Sequence, residues 1–259
     1  MDTIDLNSDL GEGLGSGDMG DDEALLGVVT SANVACGFHA GDPAIMRSVC
    51  DAAARADVAI GAHVADRDLT GFGRRFIDVD TVTLQQEVIY QIAALDGMAR
   101  VAGRKVRYVK PHGALYNAIV EHEAQAAAVL AAVREYDDNL AVMGLPGSVF
   151  LRQAEDAGVR TVFEAFADRA YTPQGHLVSR SLSGSVLHDP DVIAARCVAM
   201  ATGEAIADIN GDPLLLRPES ICVHGDTPGA VAIAARVRQS LEQAGVGLTS
   251  FADSAGGSH

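Results

Sequence analysis

Short apolar runs alternate with amphipathic stretches along the whole chain. Runs of strand length occur at 3–8, 32–37, 58–63, 106–110, 140–145, 161–167 and 220–224, with a last short one at 246–251. Between them, apolar residues step by three and four. Ile45, Val49, Ala52 and Ala56 follow an Asp42-Pro43 helix start, and Leu84, Val88, Ile92, Leu95 and Ala99 mark a long helix over 81–101. That spacing lays one helix face on a core, and an acceptor followed by proline suits an N-cap and first helical position. Further helices are predicted at 21–30, 191–202 and 229–244, the last with Ile233, Val237 and Leu241 on one face. Seven or eight strands alternating with helices predict an α/β fold, a closed or nearly closed βα barrel of about seven strands. It is expected to occupy 1–252 as one catalytic domain, with a disordered tail at 253–259. An open doubly wound sheet is the alternative.

The polar residues add a second pattern. Asp9 and Glu12 follow the first apolar run, Cys36 and His39 the second, and His63 closes the third. Lys110 and His112 follow the fourth, Asp168 and Arg169 the sixth, and His224 and Asp226 the seventh. If the runs are parallel strands, all these groups leave the same sheet edge. In βα folds that edge carries the chemistry, so the chain reads as an enzyme with one convergent site.

Composition narrows the partners. The 259 residues carry 35 acidic and 19 basic side chains, a formal charge of −16. That balance argues against nucleic-acid or anionic-membrane partners, which need a basic face. Cys36, Cys50, Cys197 and Cys222 are widely spaced without a CxxC pair. The start lacks a basic, apolar signal region, and no apolar run is long enough to cross a bilayer. Free thiols in the cytoplasm are the expectation.

Each motif has a chemical reading and a plainer one. Asn7-Ser8-Asp9-Leu10-Gly11-Glu12-Gly13 places two carboxylates three apart on a Gly-rich turn, where they could bind a metal, act as base or hold an ammonium; the same residues make an ordinary turn. Residues 15–20 fit GxGxxG, but Asp18, Asp21 and Asp22 oppose a phosphate, so this stretch reads as a loop before an acidic helix start. There is no GxxxxGK[ST] and no GxSxG, and His122-Glu123 lacks the second histidine of HExxH because Ala126 stands there.

In the dense Ala35-Cys36-Gly37-Phe38-His39-Ala40-Gly41-Asp42 run, His39 sits where a strand-end ligand or base would sit, and Asp42 is a helix cap. Cys36 reads as a buried, inert thiol. Asp9, His39 and His63 form a candidate Asp–His–His metal set with open positions, with satisfied core histidines as the alternative. Lys110-Pro111-His112-Gly113 could neutralise a developing oxyanion; as exposed sheet-edge groups, Lys110 and His112 are expected to be replaceable at little cost in stability. Asp168, Arg169 and Arg180 could orient a carboxylate through guanidinium contacts or simply pair with one another. His224 is a candidate acid or base held by Asp226.

Taken in order, these blocks resemble the LamB/YcsF family, which is also the family of the 5-oxoprolinase A subunit. The likeness rests on the two Asp9 and His39 runs, Met19-Gly20-Asp21-Asp22-Glu23, Ile60-Gly61-Ala62-His63 and Gly71-Phe72-Gly73-Arg74-Arg75. It continues through Val109-Lys110-Pro111-His112-Gly113, Phe166-Ala167-Asp168-Arg169 and Val223-His224-Gly225-Asp226, and spans about 4–245. Two departures stand out. Val64-Ala65-Asp66-Arg67 replaces a Pro-Gly-Tyr-Pro-like run after His63, and Ser179 stands where a proline commonly precedes the arginine matching Arg180.

The resemblance implies a barrel of the glycoside hydrolase/deacetylase-like kind. It further implies ATP-dependent hydrolysis of 5-oxo-L-proline to L-glutamate, in a complex with two partner subunits, B and C. ATP would be co-substrate of the complex, and a divalent metal is a candidate cofactor on Asp9, His39 and His63. Asp9, His39, His63, Lys110 and His112 are then the expected catalytic groups. Glu12, Asn33, Arg74, Asp168, Arg169, Arg180, His224 and Asp226 are the expected substrate contacts. An ATP-independent metal-dependent hydrolase or deacetylase, or a non-catalytic binding component of a complex, are the alternatives. The missing P-loop and the acidic balance point to ATP chemistry elsewhere in the complex, although the division among subunits is not readable from this chain.

Overall fold

The computed structural model describes residues 3–14, 21–224 and 229–252. In chain order its elements are β1 (Thr3–Leu10), α1 (Asp22–Leu26), β2 (Ser31–Ala35), α2 (Pro43–Ala56), β3 (Ala59–His63), α3 (Thr81–Val101), β4 (Val106–Val109), α4 (Gly113–Ala118) and α5 (Glu123–Tyr136). There follow β5 (Ala141–Gly144), α6 (Val149–Asp156), β6 (Thr161–Phe166), α7 (Pro190–Ala201), β7 (Ile206–Ala207), β8 (Pro213–Leu214), β9 (Ser220–Cys222), α8 (Ala230–Gln243) and β10 (Gly247–Leu248).

Strands β1 to β6 pair in sequence, all parallel, and β9 lies between β6 and β1. The pairing of Asp5, Leu6 and Asn7 with Ser220, Ile221 and Cys222 closes a seven-stranded β/α barrel. Closure, not an open sheet, follows from that pairing. β10 adds a short parallel pairing to the start of β1, and β7 and β8 form a small antiparallel hairpin outside the barrel.

Alternation along β1 shows how the sequence makes two environments. Ile4, Leu6 and Leu10 pack into the main apolar cluster with the helices, while Asp5, Asn7 and Asp9 fall on the opposite face, inside the barrel. Tyr108 fills the interior across from β3, and a Cβ at Gly61 would collide with its ring. Below it, Phe251 meets the Tyr108 ring at 4.9 Å, edge to face, and plugs the lower end. The helices cap as their sequences indicate, with Asp42 accepting from the Ala44 and Ile45 amides and Asp189 from those of Asp191 and Val192.

The strand positions fall where the apolar runs lie, within a few residues. Helix α1 is shorter than the 21–30 expected, and α4, α5, α6 and the β7–β8 hairpin are additions. Both 15–20 and the tail at 253–259 lie outside the described residues.

Candidate active site

Among the described residues, the strand-end groups lie at the C-terminal mouth of the barrel. A cavity of about 550 Å³ opens there, lined by Asp9, Glu12, His63, Arg74, Lys110, His112, Arg169, Arg180 and His224 among others. His39 and Asp168 stand one layer behind, against Glu12 and His224 respectively. Asn33 also lies behind. It donates to Asn7 Oδ1 (2.7 Å) and Asp9 Oδ1 (2.8 Å) and accepts from the Tyr108 hydroxyl (2.7 Å), so it braces Asp9.

Three histidines and a glutamate form the deepest cluster. His39 Nε2 lies 3.1 Å from Glu12 Oε1, and His112 Nδ1 lies 3.4 Å from the same oxygen. His63 Nε2 is 2.9 Å from His112 Nδ1, 3.4 Å from Asp9 Oδ2 and 3.9 Å from Glu12 Oε1. The His39 and His112 rings stack at 3.8 Å. One ligand atom each from Glu12, His39, His63 and His112 lies within 4.8 Å of the others.

The backbone decides where the protons are. His63 Nδ1 donates to the Lys110 carbonyl (3.0 Å) and His112 Nε2 to that of Phe72 (2.9 Å), because carbonyls only accept. The two facing nitrogens, His63 Nε2 and His112 Nδ1, therefore both present lone pairs when the rings are neutral. A 2.9 Å approach of two lone pairs is favourable only with positive charge between them, a proton or a metal ion. Burial lowers the His63 pKa, but the neighbouring Asp9 carboxylate more than reverses this and raises it above the ordinary value. Burial and the other imidazoles hold His39 and His112 well below theirs. Without a metal, the cluster's proton belongs on His63. His39 Nδ1 is buried and has no hydrogen-bond partner.

Two glycines let the loops cross over this cluster. Phe72 and Gly73 adopt positive φ (54° and 62°), as does Gly113 (56°). A Cβ on Gly113 would collide with the Gly73 carbonyl oxygen, to which the Ala114 amide donates at 2.8 Å. The 72–75 segment thus clamps His112 from above.

Lys110 occupies a second, adjoining cage. Its Nζ lies 2.6 Å from Glu164 Oε1, 3.1 Å from Asp9 Oδ1, 3.2 Å from Asn7 Oδ1 and 3.3 Å from Cys222 Sγ. Glu164 Oε2 accepts from the Tyr116 hydroxyl at 2.8 Å. Burial alone would lower the lysine pKa, but Asp9, Cys222 and Glu164 raise it well above the ordinary value. Burial would raise that of Asp9, yet His63 and Lys110 bring it well below the usual carboxylate range. Lys110 is therefore a fixed cation and Asp9 a fixed anion, a poor base. The expectation that Lys110 and His112 are exposed is corrected: they are 1% and 6% exposed, because the closed barrel surrounds the edge an open sheet would leave bare. Glu164 was not among the expected site residues. It is a lone charge inside the apolar run of β6, and that mid-strand position was the available signal.

The opposite wall is built differently. His224 Nδ1 lies 2.6 Å from Asp168 Oδ1, and Arg180 Nη2 lies 3.2 Å from His224 Nε2. The imidazole stacks on Phe166 with ring centroids 5.4 Å apart. The partner holding His224 among the described residues is Asp168; Asp226, expected in that role, lies outside them. Asp168 accordingly pairs with neither Arg169 nor Arg180. Arg169 spends Nε and Nη2 on the carbonyls of Ser185 (3.4 Å) and Val178 (2.6 Å), bracing the 178–185 loop. Arg74 lies over the Phe72 ring, 4.9 Å from its centroid.

The unusual 64–67 run does not line the cavity. Ala65 exchanges hydrogen bonds with the Gln91 side chain on α3, at 2.9 and 3.0 Å. Asp66 is buried with neither carboxylate oxygen hydrogen-bonded, and burial next to Glu87 and Asp68 pushes its pKa up to about 6. Cys36 is buried, and its thiol pKa is driven far above the ordinary value by that burial, which leaves it inert.

Comparison with known proteins places this geometry. The model of the LamB/YcsF family matches residues 4–256. The A subunit of 5-oxoprolinase from Cutibacterium acnes is 56% identical over 256 residues, which cover 97% of this chain and 100% of that protein. The crystal structure of a lactam utilization protein from Thermus thermophilus has a TM-score of 0.92 at 38% identity, covering 96% of this chain and 100% of that one. A family 4 carbohydrate esterase from Streptomyces lividans, in complex with acetate, has a TM-score of 0.52 at 12% identity, covering 98% and 95%. That likeness is one of fold alone.

Proposed function

The chain belongs to the LamB/YcsF family, and from that premise we propose that it is the A subunit of an ATP-dependent 5-oxoprolinase. Together with partner subunits, B and C, it opens 5-oxo-L-proline to L-glutamate with cleavage of ATP, in the cytoplasm, where its four buried, unpaired cysteines stay reduced. Residues 1–252 act as its catalytic domain.

A five-membered lactam is a resonance-stabilised amide and a poor electrophile. Phosphorylation of its carbonyl oxygen at the expense of ATP turns it into an imidate that water can attack. The observation that carries the reading is the buried Lys110 ammonium at the base of a cavity with histidines on both walls. A fixed cation there stabilises the negative charge of the phosphoryl group on the activated oxygen, and removal of one such donor costs about 2.7–4 kcal/mol. Asp9 and Glu164 hold that cation in place. Arg180, whose guanidinium is not committed to a backbone brace, receives the substrate carboxylate.

The donor set of Glu12, His39, His63 and His112 fits a divalent metal of the zinc class. Glu12 and His112 thereby join His39 and His63 as candidate ligands, while Asp9 serves Lys110 and Asn33. Such an ion supplies Lewis-acid polarisation when bound.

The test is reconstitution with the B and C partners, measuring glutamate from 5-oxoproline with and without ATP. Glutamate should form only with ATP and all three components. No ATP-dependent product from a competent complex overturns the proposal. The histidine-rich donor set favours one rival, a metal-dependent hydrolase acting alone; ring opening by the purified chain with metal and without ATP would establish it instead.

A further inference from the structure

We propose that His224, oriented by Asp168, carries protons to the ring nitrogen of the activated lactam and so decides that nitrogen, rather than phosphate, leaves. The inference rests on the 5-oxoprolinase reading and concerns a choice every phosphorylated lactam faces. Water adds to the carbon of the imidate, forming a C–O bond. The resulting tetrahedral centre bears a hydroxyl, the phosphorylated oxygen and the ring nitrogen. Phosphate is a good leaving group, whereas an unprotonated nitrogen is not. If phosphate leaves, 5-oxoproline returns and ATP is wasted. If nitrogen leaves, the ring opens to an acyl phosphate, which a second water hydrolyses to glutamate and phosphate. Coupling therefore depends on a proton donor aimed at nitrogen.

His224 is built for that task. The 2.6 Å contact with the Asp168 carboxylate fixes the proton on Nδ1. Arg180 can only donate, so its 3.2 Å contact marks Nε2 as the lone-pair nitrogen at the cavity, and that lone pair is released for a proton when Arg180 turns to the substrate carboxylate. Stacking on Phe166 fixes the ring plane. Nε2 takes a proton from the attacking water and passes it to nitrogen. The hydroxyl proton follows the same route as the C–N bond breaks, its electron pair going to nitrogen and the hydroxyl oxygen becoming the carbonyl of the acyl phosphate. Both protons of the first water thus end on the amine. Lys110 Nζ lies 5.2 Å from the centroid of the same Phe166 ring on which His224 stacks, so one bound lactam can present its phosphorylated oxygen to Lys110 and its nitrogen to His224. Asp168 acts through the imidazole and is a positioning residue.

The experiment compares wild type, His224→Gln and Asp168→Asn in the reconstituted three-component complex. It reads phosphate released per glutamate formed and, in ¹⁸O-water, the label in recovered 5-oxoproline. Wild type should release about one phosphate per glutamate and return unlabelled 5-oxoproline. His224→Gln should lower glutamate formation by about 100-fold or more, with a smaller fall in substrate-dependent phosphate release. The ratio should then rise at least about tenfold, and recovered 5-oxoproline should carry ¹⁸O, since expulsion of phosphate leaves the water oxygen in the lactam. Asp168→Asn should shift both readouts in the same direction by less. A loss of fold would reduce both products together without label. A ratio that stays at the wild-type value in both variants, whatever the rate, overturns the proposal. A wild-type complex that makes no glutamate refutes the 5-oxoprolinase reading itself.

Discussion

The wall of the cavity built by β1 to β4 and the wall built by β6 and β9 use similar residues in opposite ways. On the first, Glu12, His39, His63, Lys110 and His112 are all buried, and each contacts another member or a backbone carbonyl. On the second, Asp168 and Arg169 are buried, but His224 is half-buried and Arg180 is exposed on the long 171–185 loop. A buried, mutually bonded set cannot lose a member without leaving its partners unsatisfied. A loop-borne group can. The first wall therefore ties chemistry to stability, and the second, at Arg180, separates them.

Three measurements press on that contrast. The largest effect is expected for Lys110→Met, which leaves Asp9 and Glu164 buried without their counter-ion. Stability should fall by about 3–5 kcal/mol, read by denaturant unfolding, and complex activity should vanish. A variant as stable as wild type would break the link between the lysine cage and the fold. Next, the purified chain should bind one equivalent of Co²⁺ with the visible absorption of an imidazole-rich site, and its melting temperature should rise with ion concentration. Glu12→Gln or His112→Ala should weaken that binding by more than about 100-fold, whereas unaltered affinity in both would exclude the four-residue site. The smallest change is expected for Arg180→Ala. Its stability should stay within about 0.5 kcal/mol of wild type, while KM for 5-oxoproline rises about tenfold with little change in kcat; a destabilised variant would show that the second wall is structural after all.

Much of this was legible in the sequence because strand-end position is a local property. A short apolar run followed by Asp9, His63, Lys110 or His224 names a residue at the mouth of a barrel without knowledge of its neighbours. Partnership is not local. Asp168 holds His224 because β6 and β9 are adjacent, although 56 residues separate the pair, and no local pattern announces that pairing. Glu164 was overlooked because it lies inside a strand, where only barrel closure brings it to Lys110. The burial of Lys110 has the same origin. Helix α5 gave little pattern because it is rich in alanine, which contrasts weakly with both apolar and polar faces. The metal-type donor set could not be read complete, since Glu12 and His112 leave different strand ends, those of β1 and β4, and meet His39 and His63 only where the paired strands converge.

The closing seam of the barrel has a consequence for how the chain is made. Of the described strands β1 leaves the ribosome before the others, yet two of its three neighbours, β9 and β10, follow all the rest. Until residue 220 emerges, Asp5 lacks its Ser220 partner and Asn7 has no hydroxyl to donate to. Between the end of β6 at Phe166 and the start of β9 at Ser220, the nascent chain must carry an open six-stranded sheet with two bare edges, the state in which pairing with another chain is easiest. Shortening the interval between β6 and β9, which holds α7 and the β7–β8 hairpin, would reduce that exposure. Yield on expression should thus respond to the length of that outer insert even where the finished barrel is unaffected.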